Sequence, residues 1–158
     1  MGGQRIYRRT WTDESNISGV TGVIFVAALS EYDQCLSEAK RTNRMVEALN
    51  LFQFVSNHKA FRDTSIILFL NKKDVFAEKI MYSDIATDGS PWSDYTGPKN
   101  DYESGVQYFM NKFKERSNFE ESFVHVTCAC DTKNMEFVLD ATRKILLNAT
   151  LAKIGLDM

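Results

Sequence analysis

The sequence has few of the residues that mark secreted, metal-binding or nucleic-acid-binding proteins. Among its 158 residues there are three cysteines and two prolines, and the formal net charge is only -2. Cys35, Cys128 and Cys130 lack the spacing of a metal site, so we predict that they are free, reduced thiols. The small net charge favours neither nucleic acid nor an acidic membrane as a partner.

Long apolar segments are also missing. No run of residues is long and apolar enough to cross a membrane, and the start, MGGQRI, has no apolar segment of the kind found in a signal peptide. The composition is 44% hydrophobic and 25% charged, which is typical of a soluble globular protein. The length predicts about one domain.

Strand-like and helix-like segments alternate along the chain. Continuous apolar runs predict buried strands, and these lie at 20–29, 65–70 and 122–128. Apolar residues at three- and four-residue spacing predict helices, and these lie at 43–57, 101–117 and 134–151, with one or two further helical turns at 75–80. This order predicts an α/β fold with a parallel sheet and helices on both faces.

The helical spacing also predicts which side chains face the core. The inward residues are expected to be Met45, Leu49, Phe52 and Val55 in the first helix, Val106, Met110 and Phe113 in the second, and Met135, Leu139, Ile145 or Leu146, and Ala149 in the last. Residues 82–100 contain both prolines and predict a long loop, and long loops in compact domains are often functional.

Polar side chains follow the second predicted strand at once. Asn71, Lys72 and Asp74 come directly after SIILFL, at the strand end outside which parallel sheets bind ligands. A carboxylate at Asp74 can accept two neighbouring N–H donors, which guanine presents and adenine does not. Asn71 can donate to the far edge of a purine, and Lys72 can lay its methylene groups along the ring. The alternative is a turn in which these residues only cap the next helix.

A second polar segment follows the third predicted strand. In TCACDTKN the residues Cys128 and Ala129 are small enough for the backbone to approach a base, and the N–H of Ala129 could donate to a guanine carbonyl oxygen. The alternative is a strand end followed by a helix N-cap at Asp131 or Thr132.

Taken together, several segments resemble the alpha subunits of heterotrimeric G proteins. The resemblance runs from residue 2 almost to the end and rests on GGQR (2–5), VAALSEYD (26–33), NRM (43–45), TSIILFLNKKD (64–74), TCACDTKN (127–134), FVLDAT (137–142) and LAKIGL (151–156). It implies the three-layer fold of Ras-like P-loop NTPases. It also implies that residues 1–158 are the carboxyl-terminal part of a GTPase domain, from switch II to the receptor-binding tail, without the phosphate-binding loop and the helical domain.

The resemblance assigns roles to further residues. The ligand would be GTP or GDP, with the base held by Asn71, Lys72, Asp74, Cys128 and Ala129. Gly2 and Gly3 would lie at the γ-phosphate, where the N–H of Gly3 donates, and Gln4 would orient the attacking water. Mg²⁺ would accompany the nucleotide, but its ligands are expected outside this chain.

The resemblance also implies partners and a place in the cell. Switch II (residues 2–11) would contact the beta-gamma dimer or an effector, and residues 134–158 would contact a G-protein-coupled receptor. The complete protein would be a cytoplasmic GTPase held at the inner face of the plasma membrane. We expect this chain alone not to hydrolyse GTP, and a non-catalytic fragment that binds a receptor or beta-gamma, or a partial gene model, stays open as the alternative.

Overall fold

The computed structural model describes residues 20–62, 64–117 and 123–153, except for the side chains of residues 149, 152 and 153. In chain order, the elements are β1 (Gly22–Ala28), α1 (Arg44–Ser56), β2 (Ser65–Asn71), α2 (Lys73–Lys79), α3 (Tyr102–Lys114), β3 (Phe123–Val126) and α4 (Thr132–Lys153), with short 3₁₀ turns at Leu29–Glu31 and Lys59–Phe61. The predicted strands and helices are all present, with small differences at their ends.

Within the described residues, the three strands form one parallel sheet in the order β1-β2-β3. The central strand β2 pairs with β1 from Gly22 opposite Ser65 to Ala28 opposite Asn71. On its other side it pairs with β3, where Leu70 lies opposite Val126. The carboxyl ends of β2 and β3 therefore meet at one edge of the sheet.

Side chains of β2 point alternately to the two faces of the sheet, and each face has its own core. On one face, Ile66, Leu68 and Leu70 belong to a large cluster. The other members of this cluster include Met45, Leu49, Phe52 and Val55 from α1, Phe76 from α2, and Val106, Phe109 and Phe113 from α3.

On the opposite face, Ile67 and Phe69 pack with Val138 of α4. Helices thus cover both faces of β2, and the predicted α/β architecture is confirmed. In the described part of the chain, no helix has the length and hydropathy needed to span a membrane.

The last helix packs through a different residue than its spacing predicted. Leu139 was expected to face inward, but it is 50% exposed. Val138 takes that place and is buried against β2, with Met135, Ile145 and Leu146 partly buried beside it. Three apolar residues in a row occupy positions 137–139, so the sequence period alone does not fix the buried face, and the packing against β2 selects Val138.

The first strand is only half buried, although the sequence predicts a buried one. Val23, Phe25 and Ala27 pack into the large core, whereas Ile24 is 47% and Val26 is 56% exposed. In the described sheet β1 is an edge strand. The helix α4 packs over β2 on this face, and its Leu146 side chain lies near Gly22 at the start of β1. The second half of β1 therefore presents apolar side chains to solvent.

The long segment between α2 and α3 is folded onto the rest of the protein. Trp92 is buried, and its indole N–H donates to the carbonyl oxygen of Tyr32 at 2.8 Å. The carboxylate of Asp94 accepts from the hydroxyl of Tyr108 at 2.6 Å and also from Lys112. These contacts bind the predicted loop to α3 and to the turn that follows β1.

Candidate functional site

The candidate site lies where the backbone segments after β2 and β3 run side by side. The backbone N–H of Thr127 donates to the carbonyl oxygen of Leu70 at 2.8 Å, and the N–H of Lys73 donates back to Thr127 at 3.2 Å. These two hydrogen bonds extend the β2–β3 pairing beyond the strands. The structure therefore brings together the two polar segments that the sequence singled out, residues 71–74 and 127–131.

Asn71 joins the two segments through its side chain. Its Oδ1 accepts the backbone N–H of Lys72 at 2.7 Å and that of Ala129 at 3.1 Å. Its Nδ2 group makes no hydrogen bond within the described residues, so it can donate to a ligand. The N–H of Ala129, which the sequence analysis assigned to a guanine carbonyl, already has Asn71 as its acceptor here.

Lys72 has an unusual backbone conformation, and its side chain forms an ion pair. It lies at the N-cap of α2 with φ 60° and ψ 40°, in the left-handed region that residues other than glycine rarely adopt. Strain of this kind persists where surrounding contacts enforce it, and it is common at binding sites. Its Nζ lies 3.3 Å from Oε1 of Glu31, which also pairs with Arg44 at 3.4 Å.

Asp74 offers an ionised carboxylate to solvent. The interaction with the backbone N–H of Val75, and after it that with the thiol of Cys128, lower the pKa of this carboxylate from the usual 3.8. Asp74 lies in the first turn of α2 and is exposed. A negative charge near a helix N-terminus is also favoured by the helix dipole. The group is therefore charged at neutral pH and open to a ligand with N–H donors.

The segment after β3 is also held by Asn134, a contact that the sequence analysis did not predict. Oδ1 of Asn134, in the first turn of α4, accepts the backbone N–H of Cys128 at 3.1 Å. Asp131 caps the same helix, because its Oδ1 accepts the N–H of Asn134 at 3.1 Å. The N-cap at Asp131, which the sequence analysis gave as the alternative for this segment, is thus present. The sequence analysis also did not identify Glu31 as the ion-pair partner of Lys72.

This arrangement suits a flat ligand that has N–H donors on one edge and an acceptor on another. The exposed oxygens of Asp74 can accept two parallel N–H bonds, and the Nδ2 group of Asn71 can donate. A partner that offered an acceptor to Asp74 would leave a charged group unpaired, which is costly. These acceptor and donor groups are the ones that the sequence analysis assigned to guanine.

Other predicted site residues fall outside this description. Gly2, Gly3 and Gln4 lie outside the described residues, as does the rest of the predicted switch II. In residues 20–62, 64–117 and 123–153 there is no group of three or more acidic, histidine or cysteine side chains that could hold a metal ion. Cys35, Cys128 and Cys130 are free thiols, as predicted, and Cys128 is buried at the site.

The sequence matches a known protein family over most of its length. A sequence model of the family described as "G-protein alpha subunit" matches residues 1–146. The match includes both segments of the candidate site and also residues 2–11, and it covers most of the 158 residues.

Proposed function

Because the chain belongs to the family of G-protein alpha subunits, we propose that the edge formed by residues 71–74 and 127–131 binds the base of a guanine nucleotide. Asp74 accepts the two N–H groups of guanine, and Asn71 donates through Nδ2 to the ring nitrogen on the other side. The methylene groups of Lys72 cover one face of the base. Cys128 and Ala129 form the wall beside them.

The observation that supports this proposal best is the hydrogen bond between Asn71 and Ala129. It joins two segments that are 58 residues apart in the chain and leaves the donor group of Asn71 free. The backbone hydrogen bonds that Thr127 makes with Leu70 and Lys73 add a second link between the same two segments. A pair of capping turns would not need these links between them, whereas a base pocket with fixed donor and acceptor positions does.

G-protein alpha subunits are in general GTPases that bind Mg²⁺ with the nucleotide. For this chain we propose the roles that the family resemblance assigns. Gln4 orients the attacking water, and the N–H of Gly3 donates to the γ-phosphate, with Gly2 beside it. Mg²⁺, when bound with the nucleotide, would supply positive charge at the phosphates. In a fusion of this chain to the phosphate-binding part of a G-protein alpha subunit, phosphate release from GTP is compared between wild type and Gln4→Leu, and release that is equal in both contradicts the hydrolytic role.

The family in general interacts with beta-gamma dimers, receptors and effectors. We propose that this chain carries the same surfaces, with switch II (residues 2–11) facing beta-gamma or an effector and residues 134–158 facing a G-protein-coupled receptor. We also propose that it acts in signal transduction at the inner face of the plasma membrane. A pull-down of purified beta-gamma by the chain tests the first of these contacts directly.

Base binding is best tested by NMR, which also detects weak ligands. Backbone amide signals of the isotope-labelled chain are followed during titration with GDP, and ADP is the matched control. We expect GDP to shift the signals of residues 71–74 and 127–131, and we expect ADP at the same concentration to leave them in place. Equal shifts with both nucleotides, or none with GDP, would contradict the proposal.

A further inference from the structure

We propose that Asn134 is a positioning residue of the base pocket, which holds the backbone of Cys128 and Ala129 in the conformation that the base requires. This inference rests on the proposed guanine site and adds a residue to it. Asn134 itself does not have to touch the nucleotide. It acts through the N–H of Cys128, which its side-chain oxygen accepts at 3.1 Å.

The segment after β3 has few other contacts that could fix it. Ala129, Cys130 and Asp131 are exposed. Consecutive backbone N–H groups, those of Cys128 and Ala129, donate to the side chains of Asn134 and Asn71 respectively. One asparagine is in α4 and the other is at the end of β2, so the two clamp the segment from different elements of the fold.

Asn134 belongs to a network of hydrogen bonds at the start of α4. Its own N–H donates to Oδ1 of Asp131 at 3.1 Å, and the N–H of Met135 donates to the carbonyl oxygen of Asp131 at 2.9 Å. The N–H of Asp131 in turn donates to the carbonyl oxygen of Cys128 at 3.1 Å. Together with the hydrogen bond from Cys128 to Asn134, these contacts form a ring that joins the first turn of α4 to Cys128.

The clamp also acts on Asn71, the proposed donor to the base. Cys128 is buried, and the next backbone N–H, that of Ala129, donates to Oδ1 of Asn71 at 3.1 Å. A change in the backbone of Cys128 therefore moves the N–H of Ala129 and disturbs the side chain of Asn71. Since a displacement of a supporting group by about 1 Å is enough to impair a site, loss of the Asn134 contact should weaken guanine binding without removing any group that touches guanine.

Substitutions of Asn134 test this role, because they differ in whether an acceptor oxygen remains at this position. What the N–H of Cys128 needs from position 134 is an acceptor oxygen, so Asn134→Asp should keep the function and Asn134→Ala should lose it. Asn43 provides the matched control. Its Oδ1 also accepts backbone N–H groups, those of Met45 at 2.9 Å and Val46 at 3.1 Å, but it caps α1. Asn43→Ala should lower thermal stability and leave the pocket unchanged.

Two measurements on the full chain decide the matter. In amide hydrogen exchange, Asn134→Ala should speed exchange at Cys128 about tenfold, the size expected for one lost hydrogen bond, while Asn134→Asp and Asn43→Ala stay near wild type. In GDP titrations, the dissociation constant should rise by a similar factor for Asn134→Ala only.

Unchanged exchange at Cys128 in Asn134→Ala, or a defect in Asn134→Asp as large as in Asn134→Ala, would overturn the proposal. An unchanged GDP affinity in Asn134→Ala would also overturn the proposal, provided that wild type binds GDP. If wild type binds no guanine nucleotide at all, the guanine site is wrong, and with it the role of Asn134 in that site. Exchange at Cys128 would then still show whether Asn134 holds this backbone.

Discussion

The side-chain oxygen of Asn71, at the end of β2, lies 3.1 Å from the backbone nitrogen of Ala129, which follows β3. The same oxygen accepts the N–H of Lys72 at 2.7 Å. One amide side chain thus fixes a left-handed residue at the start of α2 and the segment after β3. Its oxygen is used for the fold, and its nitrogen is left for a ligand.

Because the oxygen and the nitrogen of the Asn71 side chain have different roles, two substitutions of Asn71 should have different effects. Asn71→Ala removes the acceptor of two N–H groups, and we expect it to lower the free energy of unfolding by roughly 1–3 kcal/mol. Asn71→Asp keeps an acceptor but has no N–H donor, so it should stay close to wild type in stability and lose affinity for GDP. Urea unfolding and GDP titration of both variants separate the two effects, and equal stability of the two variants would show that the oxygen is not used.

Asp74 should determine which purine the site accepts. Xanthine has a carbonyl oxygen where guanine has an amino group, and an amide can donate to that oxygen whereas a carboxylate cannot. Asp74→Asn should therefore favour XDP over GDP. Sites built on such hydrogen bonds discriminate by on the order of 10⁴-fold. Competition between GDP and XDP in both proteins measures the preference, and an unchanged ratio would mean that Asp74 serves only as a turn residue.

The fold, and the two polar segments that form the candidate site, could be predicted because their signals are local. An apolar run that ends in Asn71, Lys72 and Asp74 marks the end of a buried strand, and the spacing of Phe52 and Val55 marks a buried helix face. Asn134 and Glu31 had no such signal, because their partners lie in other segments: Asn134 contacts Cys128 across a turn, and Glu31 contacts Lys72. Only the three-dimensional structure brings these pairs together.

His125 should make stability depend on pH. Burial lowers the pKa of this imidazole below its usual 6.5, and its Nε2 has no hydrogen-bond partner within the described residues. When the pH falls through 6.5, His125 becomes protonated in the unfolded chain but stays neutral in the folded protein. The folded protein therefore loses stability as the pH falls. Urea unfolding at about pH 7.5 and about pH 5.5 should show a smaller loss for His125→Leu than for wild type. An NMR titration that gives His125 a pKa of 6.5 or above would contradict this reasoning.

Phe109 should be among the most costly side chains to remove. It is fully buried, and its ring packs edge-on against those of Phe76, Trp92 and Tyr108. Phe109→Ala leaves a cavity between α3, α2 and the segment that contains Trp92, and we expect a loss of about 3–5 kcal/mol in unfolding free energy. Phe137, also helical but 73% exposed, is the control, and Phe137→Ala should stay within about 0.5 kcal/mol. Similar losses in both variants would show that the core is packed differently.

The exposed half of β1 should make the isolated chain associate with itself. Val26 is 56% exposed and Ile24 is 47% exposed on a strand that is at the edge of the described sheet and carries no charged residue. Unprotected edges of this kind pair with other chains, and a lysine on such a strand opposes the pairing. We therefore expect Val26→Lys to reduce self-association. The control is Leu147→Lys, which replaces an equally exposed side chain on α4 and adds the same charge. Sedimentation velocity over a range of concentrations should show a larger monomer fraction for Val26→Lys than for either wild type or the control. If Leu147→Lys raises the monomer fraction as much, the effect comes from net charge and β1 is not the surface that associates.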